Sequence, residues 1–138
     1  MLEEWTNYWN RAFTKFDIGD YEGSINDFTK AIELNPTSGG YISRAKAKNA
    51  IGDHLGALND NNKAIEMHPN TGRSYFERAL TKEKLGDFNG AMNDYNKAIE
   101  LQPMFIQAYM DRAKAKTALG DHEGAERDLT KAKELQRD

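Results

Sequence analysis

The sequence predicts an all-α protein made of four two-helix repeats, and three regularities predict it. The dipeptide Gly-Asp recurs at intervals of 33, 34 and 34 residues, beginning at Gly19, Gly52, Gly86 and Gly120. A proline follows the first three of these, at Pro36, Pro69 and Pro103. Tyrosine, alanine and lysine stand three and four residues apart before each Gly-Asp, which is the period of an α-helix.

Each repeat is predicted to hold one helix before its Gly-Asp and one after it. The first helices are expected at residues 4–18, 38–51, 72–85 and 106–119, and the second helices at 21–34, 54–67, 88–101 and 122–136. Glycine closes the first helix in the left-handed conformation, and aspartate caps the second helix. We expect a single domain over residues 1–138, with repeats at about 5–37, 38–71, 72–105 and 106–138.

Composition and charge narrow the possible partners. The chain has 138 residues, 38% hydrophobic and 30% charged, with a net charge of −3. That charge gives no field to attract nucleic acid, and no stretch approaches the length and apolarity of a membrane span. Residues 1–16 mix charged and polar residues with aromatics, so no signal peptide is predicted. The chain has no cysteine, and by default we expect a cytoplasmic location.

Catalysis finds no support in the sequence. The three histidines, His54, His68 and His122, lie far apart along the chain. Two of them stand where sister repeats carry Tyr21 and Phe88, which favours an aromatic packing role. No phosphate-binding loop, metal-ligand cluster or nucleophile motif appears. We therefore predict no enzyme activity, no catalytic residue, no metal site, no cofactor and no small-molecule substrate.

The repeated residues resemble the tetratricopeptide repeat family. The family pattern of a large aromatic, a small residue, Gly-Asp-aromatic, further small residues and a closing proline is present in the third repeat as Tyr75, Ala79, Gly86-Asp87-Phe88, Ala91, Tyr95, Ala98 and Pro103. The first repeat matches in register, and the frame recurs in the second and fourth. The resemblance implies a right-handed superhelical solenoid of four antiparallel helix-turn-helix repeats. It also implies that the first helices line a concave groove for a peptide or helix of a partner protein.

The chain departs from the family pattern at some positions. Asn61 stands where Phe28 and Tyr95 supply bulk, and Met104-Phe105 replaces the polar residues that cap other first helices. Some family members grip the carboxylate tail of chaperones with lysine, asparagine and arginine. Over the first three repeats the matching positions are Trp9, Phe13, Ser43, Arg73 and Glu77, and only Arg73 suits that role. Over the last three repeats they are Ile42, Lys46, Glu77, Gln107 and Asp111, which also fail, so recognition of such a tail is not expected.

Residues that are identical in all four repeats should belong to the scaffold. Besides tyrosines and alanines, each repeat carries an invariant arginine, lysine and aspartate: Arg11, Lys15 and Asp27; Arg44, Lys48 and Asp60; Arg78, Lys82 and Asp94; Arg112, Lys116 and Asp128. They are either a row of ligand contacts or an Arg-Asp bridge between the two helices with solvated lysine stems. We favour the bridge, because a charge repeated in every unit cannot mark one binding site.

Residues that vary among the repeats on one face of the first helices are the candidates for partner binding. The predicted set is Trp9, Asn10, Phe13, Phe16, Ile42, Ser43, Lys46, Asn49, Arg73, Phe76, Glu77, Leu80, Met110, Asp111 and Lys114, with Glu83, Gln107 and Thr117 at neighbouring varying positions. The apolar members form a stripe that can receive a helix or an extended peptide. Alternatively, they fill the space between neighbouring first helices.

The two ends of the chain differ in character. The first helix carries the aromatic cluster Trp5, Trp9, Phe13 and Phe16, which suggests an interface hot spot, a cap over the end of the solenoid, or pairing of two copies. The last helix carries Glu126 and Lys133 where earlier ones carry Ile25 and Ile32. Repeat proteins need a polar outer face on a terminal unit, so we expect the fourth repeat to end the array.

The predicted function is therefore that of a protein-protein interaction module. As an adaptor or scaffold, the chain would bind a peptide or helix of another protein in the groove lined by its first helices. The alternative is a self-associating structural module that forms a homodimer or larger assembly through the aromatic N-terminal helix or the groove. Neither interpretation involves nucleic acid or a membrane.

Overall fold

The structure, a computed structural model, describes residues 2–137, with side chains from residue 4 onward. These residues form eight α-helices and no β-strand, as predicted. They divide into two compact units, one ending at Pro69 and the other beginning at Asn70. Each unit contains two of the predicted repeats, and the single domain stays a prediction.

The first unit consists of four helices in two antiparallel pairs. These are α1 (Leu2–Asp17), α2 (Tyr21–Leu34), α3 (Ser38–Ala50) and α4 (His54–Met67). Within the unit, α1 packs on α2, α2 on α3, and α3 on α4. The second helix of one repeat thus lies against the first helix of the next.

The second unit repeats the same order. Its helices are α5 (Gly72–Lys84), α6 (Phe88–Leu101), α7 (Ile106–Ala118) and α8 (His122–Gln136), with contacts from α5 to α6, α6 to α7 and α7 to α8. The second helices of all four repeats begin and end where the sequence predicts. The first helices agree with their predicted bounds to within two residues.

The turn inside each repeat has one geometry. The third repeat shows it: Gly86 adopts a φ of 82°, and the N–H of Asp87 donates to the carbonyl of Lys82 at 2.8 Å. That bond closes the first helix, and the left-handed glycine conformation it requires is strained for other residues. The Asp87 side chain then accepts a hydrogen bond from Gly90 N at 2.8 Å and caps the next helix.

Invariant alanines form the contact surface between helices. All of them are at most 3% exposed: Ala12, Ala45, Ala79 and Ala113 on the first helices, and Ala31, Ala64, Ala98 and Ala132 on the second helices. Small side chains at these positions allow the helices to approach closely. The largest fully buried side chains are Phe28 in the first unit and Tyr95 in the second. No helix among the described residues is long and apolar enough to cross a membrane.

Candidate functional site

The invariant charged residues of each repeat form one contact network. In the second repeat, Arg44 donates to Asp60 from Nε at 2.8 Å and from Nη2 at 2.7 Å, and Lys48 Nζ lies 3.0 Å from the same carboxylate. The Arg44 guanidinium also lies 5.6 Å from the centre of the Tyr41 ring. The same contacts recur around Asp27, Asp94 and Asp128.

The predicted Arg-Asp bridge is therefore confirmed, but the expectation of solvated lysine stems is wrong. Each lysine binds the aspartate that the arginine binds, because the carboxylate is only 3% to 4% exposed and needs several donors. Hydrogen bonding from Arg11 lowers the pKa of Asp27. Burial alone would raise the pKa of Asp128, but hydrogen bonds from Arg112 and Lys116 outweigh burial and lower it. These groups serve the scaffold.

The predicted binding face of α1 is aromatic, and much of it packs internally. Trp9 stands edge to face against Phe13 and Phe28, with ring centres 5.2 and 5.8 Å apart. A Cβ added at Gly39 or Gly40 would lie 3.4 or 3.5 Å from the Trp9 ring. Trp9 is therefore half-buried and joins α1 to α2 and to the start of α3.

The other aromatics of α1 have partners as well. Trp5 packs against Trp9 with ring centres 5.9 Å apart, and Phe16 packs against Tyr21 at 5.2 Å. Phe13 contacts Phe28 at 5.1 Å, yet 39% of Phe13 remains exposed. Of the remaining predicted residues of this unit, Asn10 and Lys46 are exposed. Ile42, Ser43 and Asn49 are half-buried.

In the second unit, three of the predicted binding residues are buried: Phe76, Glu77 and Asp111. Phe76 is 3% exposed and packs on Phe105 with ring centres 4.8 Å apart. The guanidinium of exposed Arg73 lies 5.6 Å from the centre of the Phe76 ring, and Arg73 Nε is 3.2 Å from Glu77 Oε1. Of Arg73, Phe76 and Glu77, only Arg73 is exposed to a partner, and its guanidinium lies over the face of the Phe76 ring.

A cleft of about 470 Å³ opens beside this group. It is lined by Leu80, Glu83, Lys84, Phe88 and Lys114. Two apolar side chains and three charged ones thus share one concave surface. Such a surface suits a ligand that presents an apolar side chain with polar groups beside it. Lys114 Nζ lies 3.7 Å from Asp111, and Met110 beside them is half-buried.

Glu83 connects this cleft to the core of the unit. The Tyr95 hydroxyl donates to Glu83 Oε2 at 2.8 Å. Burial raises the pKa of Glu83, the hydrogen bond from Tyr95 opposes the rise, and the nearby charge of Asp111 adds to it. Burial also raises the pKa of Tyr95, so its hydroxyl keeps its proton and remains the donor.

Of the residues that line this cleft, the predicted set omits Lys84 and Phe88, and it names Glu83 only among the neighbouring varying positions. Glu83 occupies a varying position, where the other repeats carry Phe16, Asn49 and Thr117, so the sequence held a signal for it. Lys84 and Phe88 flank the Gly-Asp turn, and Phe88 belongs to an aromatic position of the repeat pattern. Packing alone brings these two to the cleft. Among residues 2–137, no group of three or more His, Cys, Asp or Glu side chains could hold a metal ion.

Comparison with known families agrees with this architecture. A family model described as tetratricopeptide repeat matches residues 6–38 and 106–138, and a second, described as TPR repeat, matches residues 84–120. The chain belongs to the tetratricopeptide repeat family, whose fold serves as a protein-protein interaction module. No curated protein matches the sequence.

Solved structures share the fold at low sequence identity. MamA from Desulfovibrio magneticus is 21% identical, with 94% of this chain and 74% of that chain covered and a TM-score of 0.84. A TPR protein of Thermus thermophilus is 18% identical, with 96% and 75% covered and a TM-score of 0.87. The first TPR of Spaghetti (RPAP3), solved with the HSP90 peptide SRMEEVD, is 22% identical, with 87% and 96% covered and a TM-score of 0.80.

Proposed function

We propose that the chain is a non-enzymatic adaptor that binds a peptide or helix of a partner protein on the faces of its first helices. The cleft between Leu80, Phe88 and Lys114 carries the proposal, because it is a concave, partly apolar surface on such a face. A partner would place one apolar side chain against Leu80 and Phe88. Lys84 and Lys114 at the rim favour an acidic residue beside that side chain.

The first unit supports the proposal with a different chemistry. Phe13 exposes 39% of its surface on α1, and exposed Lys46 lies on the equivalent face of α3. An aromatic ring held rigidly by Phe28 and Trp9 loses little conformational freedom when a partner covers it. Contacts in this unit would therefore be mainly apolar, with one cationic neighbour.

The HSP90 peptide bound by Spaghetti is a poor model for the partner of this chain. When the clamp is placed on the first three repeats, Arg73 is the one matching cation, and it already pairs with Glu77 at 3.2 Å. Phe13 and Ser43 stand at two of the other positions and cannot bind a carboxylate as lysine or arginine would. We propose instead a partner with an internal apolar residue next to an acidic one.

The test is a pair of charge reversals on lysines that differ in location. A peptide is first selected for binding to the parent chain from a random library, and its affinity is measured by calorimetry. Lys114→Glu reverses a charge at the rim of the cleft, whereas Lys63→Glu reverses one on the exposed surface of α4. Lys114→Glu should weaken binding about tenfold, the equivalent of roughly 1.4 kcal/mol. Lys63→Glu should leave it unchanged, and equal effects of the two would refute the proposed face.

Self-association through the aromatic end is the second candidate function. The aromatics that suggested it largely contact one another: Trp5 packs on Trp9, and Trp9 on Phe28. Phe13 remains the large exposed apolar side chain of that cluster. Replacing Phe13 by serine should therefore lower peptide affinity under the adaptor proposal, whereas it should dissociate dimers if the aromatic end pairs two copies. Light scattering distinguishes these outcomes.

A further inference from the structure

The third repeat places an asparagine directly before a glycine in the first turn of α6. Asn89 is the one asparagine of the sequence that glycine follows, and that glycine is Gly90. At the position of Asn89 the other repeats carry Glu22, Leu55 and Glu123. In an Asn-Gly pair the backbone nitrogen attacks the asparagine side chain with little hindrance, because glycine has no Cβ. The third repeat alone therefore carries this reactive pair.

The helix cap explains why glycine stands at position 90. A Cβ added at Gly90 would collide with the carboxylate of Asp87, the residue that caps α6. The same collision would occur at Gly23, Gly56 and Gly124 in the other repeats. The capped turn thus favours glycine at this position whatever residue precedes it, and the asparagine at position 89 supplies the second half of the reactive pair.

The side chain of Asn89 is exposed, but the backbone beside it is held in place. Gly90 N, the atom that would attack, donates its proton to Asp87 Oδ1 at 2.8 Å. Ala91 N donates to the carbonyl of Asp87 at 3.0 Å and closes the same turn. Attack also needs a ψ angle at Asn89 far from the helical value of about −42°. The cap therefore keeps the reacting groups apart until the first turn of α6 opens.

We propose that Asn89 is a site of spontaneous deamidation and that the Asp87 cap sets its rate. When the first turn of α6 opens, Gly90 N attacks Cγ of Asn89 and gives up its proton. The bond from Cγ to Nδ2 breaks, and the amide nitrogen leaves with that proton as ammonia. Water then opens the succinimide ring at either of its two carbonyl carbons. Opening at Cγ gives aspartate, and opening at the main-chain carbon gives isoaspartate.

The two products differ in their effect on α6. Aspartate adds a negative charge in the first turn, where the end of the helix dipole favours it. Isoaspartate runs the main chain through the former side chain and inserts one more carbon between positions 89 and 90. The N–H of Gly90 then loses its placement against the Asp87 carboxylate, so the isoaspartate form loses the cap. The change takes place next to Phe88, which lines the cleft.

Removal of matched caps tests the role of Asp87. The parent, Asp87→Ala and Asp121→Ala chains are incubated at neutral pH, and conversion of Asn89 is followed by peptide mapping with mass spectrometry. Asp121 caps α8 of the same unit by accepting from Gly124 N at 2.9 Å, so its loss weakens that unit but leaves the α6 cap in place. Asp87→Ala should speed conversion about fivefold, as expected for the loss of one cap, and Asp121→Ala should stay close to the parent. Equal rates in the parent and Asp87→Ala, or equal acceleration in the two variants, would refute the proposal.

A second variant identifies the attacking atom. Gly90→Ala in the Asp87→Ala background adds a Cβ beside the attacking nitrogen, at a site where the colliding carboxylate is gone. The double variant should convert Asn89 several-fold more slowly than Asp87→Ala alone. Attack by Gly90 N also yields isoaspartate together with aspartate, whereas direct hydrolysis by water yields aspartate alone. A product without isoaspartate, or an undiminished rate in the double variant, would overturn the proposal.

Discussion

Replacement of Asp94 by asparagine should destabilise the chain severely, because this carboxylate neutralises two cations at once. Asp94 is 4% exposed and accepts from Arg78 Nε and Nη2, both at 2.7 Å. Lys82 Nζ lies 3.0 Å from the same group. Asparagine has nearly the same shape but no charge, so it would leave two neighbouring cations without their counter-charge.

The size of the effect follows from the exposure of those cations. Loss of one partner from a fully buried ion pair costs about 3–5 kcal/mol. The side chains of Arg78 and Lys82 are 22% and 21% exposed, so water recovers part of that cost. We expect the free energy of unfolding to fall by about 2–3 kcal/mol. Urea unfolding followed by circular dichroism measures it.

Asp27→Asn is the matched control for this reasoning. It removes the same carboxylate from the same network, but its partners Arg11 and Lys15 are 57% and 30% exposed. Solvation of these cations should make the loss of stability clearly smaller than in Asp94→Asn. If both variants lose equal stability, or Asp27→Asn loses more, then exposure of the cations does not determine the cost.

Three further predictions concern pH and helix capping. Because the pKa of Glu83 is raised in the folded state, protonation of Glu83 stabilises the fold when the pH is below the pKa of the unfolded chain, about 4.3. This contribution is lost as pH rises through the folded pKa. Glu83→Gln should therefore raise the urea midpoint at pH 7 but not near pH 4; an equal gain at both would contradict the assignment. The pKa of Asp128 is lowered in the folded state, so ionised Asp128 stabilises the fold when the pH is above the pKa of the unfolded chain, about 3.9. This contribution is lost as pH falls through the folded pKa. In Asp128→Asn the urea midpoint should therefore fall less steeply as the pH is lowered into the acid range. The same steepness in the variant and the parent would contradict this role of Asp128. A Cβ at Gly90 would collide with the capping Asp87 carboxylate. Gly90→Ala should therefore stabilise by about 1 kcal/mol only when Asp87→Ala is also present, which a double-mutant cycle in urea tests.

Most of the fold could be predicted because each structural requirement recurs in the sequence. The left-handed turn needs glycine, the helix start needs a capping aspartate, and close helix contacts need alanine. Gly86, Asp87 and Ala79 meet these needs in the third repeat, and their counterparts recur in the others. Four copies of one pattern thus locate the helix ends to within two residues.

The candidate site was less predictable, because a residue can differ among the four repeats for more than one reason. Trp9 differs from its counterparts, and in the structure it fills the space that Gly39 and Gly40 leave open. Phe76 differs as well, and it packs on Phe105, which caps α7 without a side-chain hydrogen bond. Variation in these cases reflects packing against a neighbour. Phe13 and Lys114 vary too, but they remain exposed, and sequence alone does not separate the two kinds.

The measurement that tests the central claim most directly is to map a bound peptide by NMR. A peptide selected for binding to the parent chain would be titrated into isotopically labelled protein, and backbone amide shifts would be followed. The adaptor account predicts the largest shifts on the first-helix faces, at Phe13 and Lys46 in one unit or at Leu80 and Lys114 in the other. Shifts concentrated on the exposed surfaces of α2, α4, α6 and α8 would contradict it.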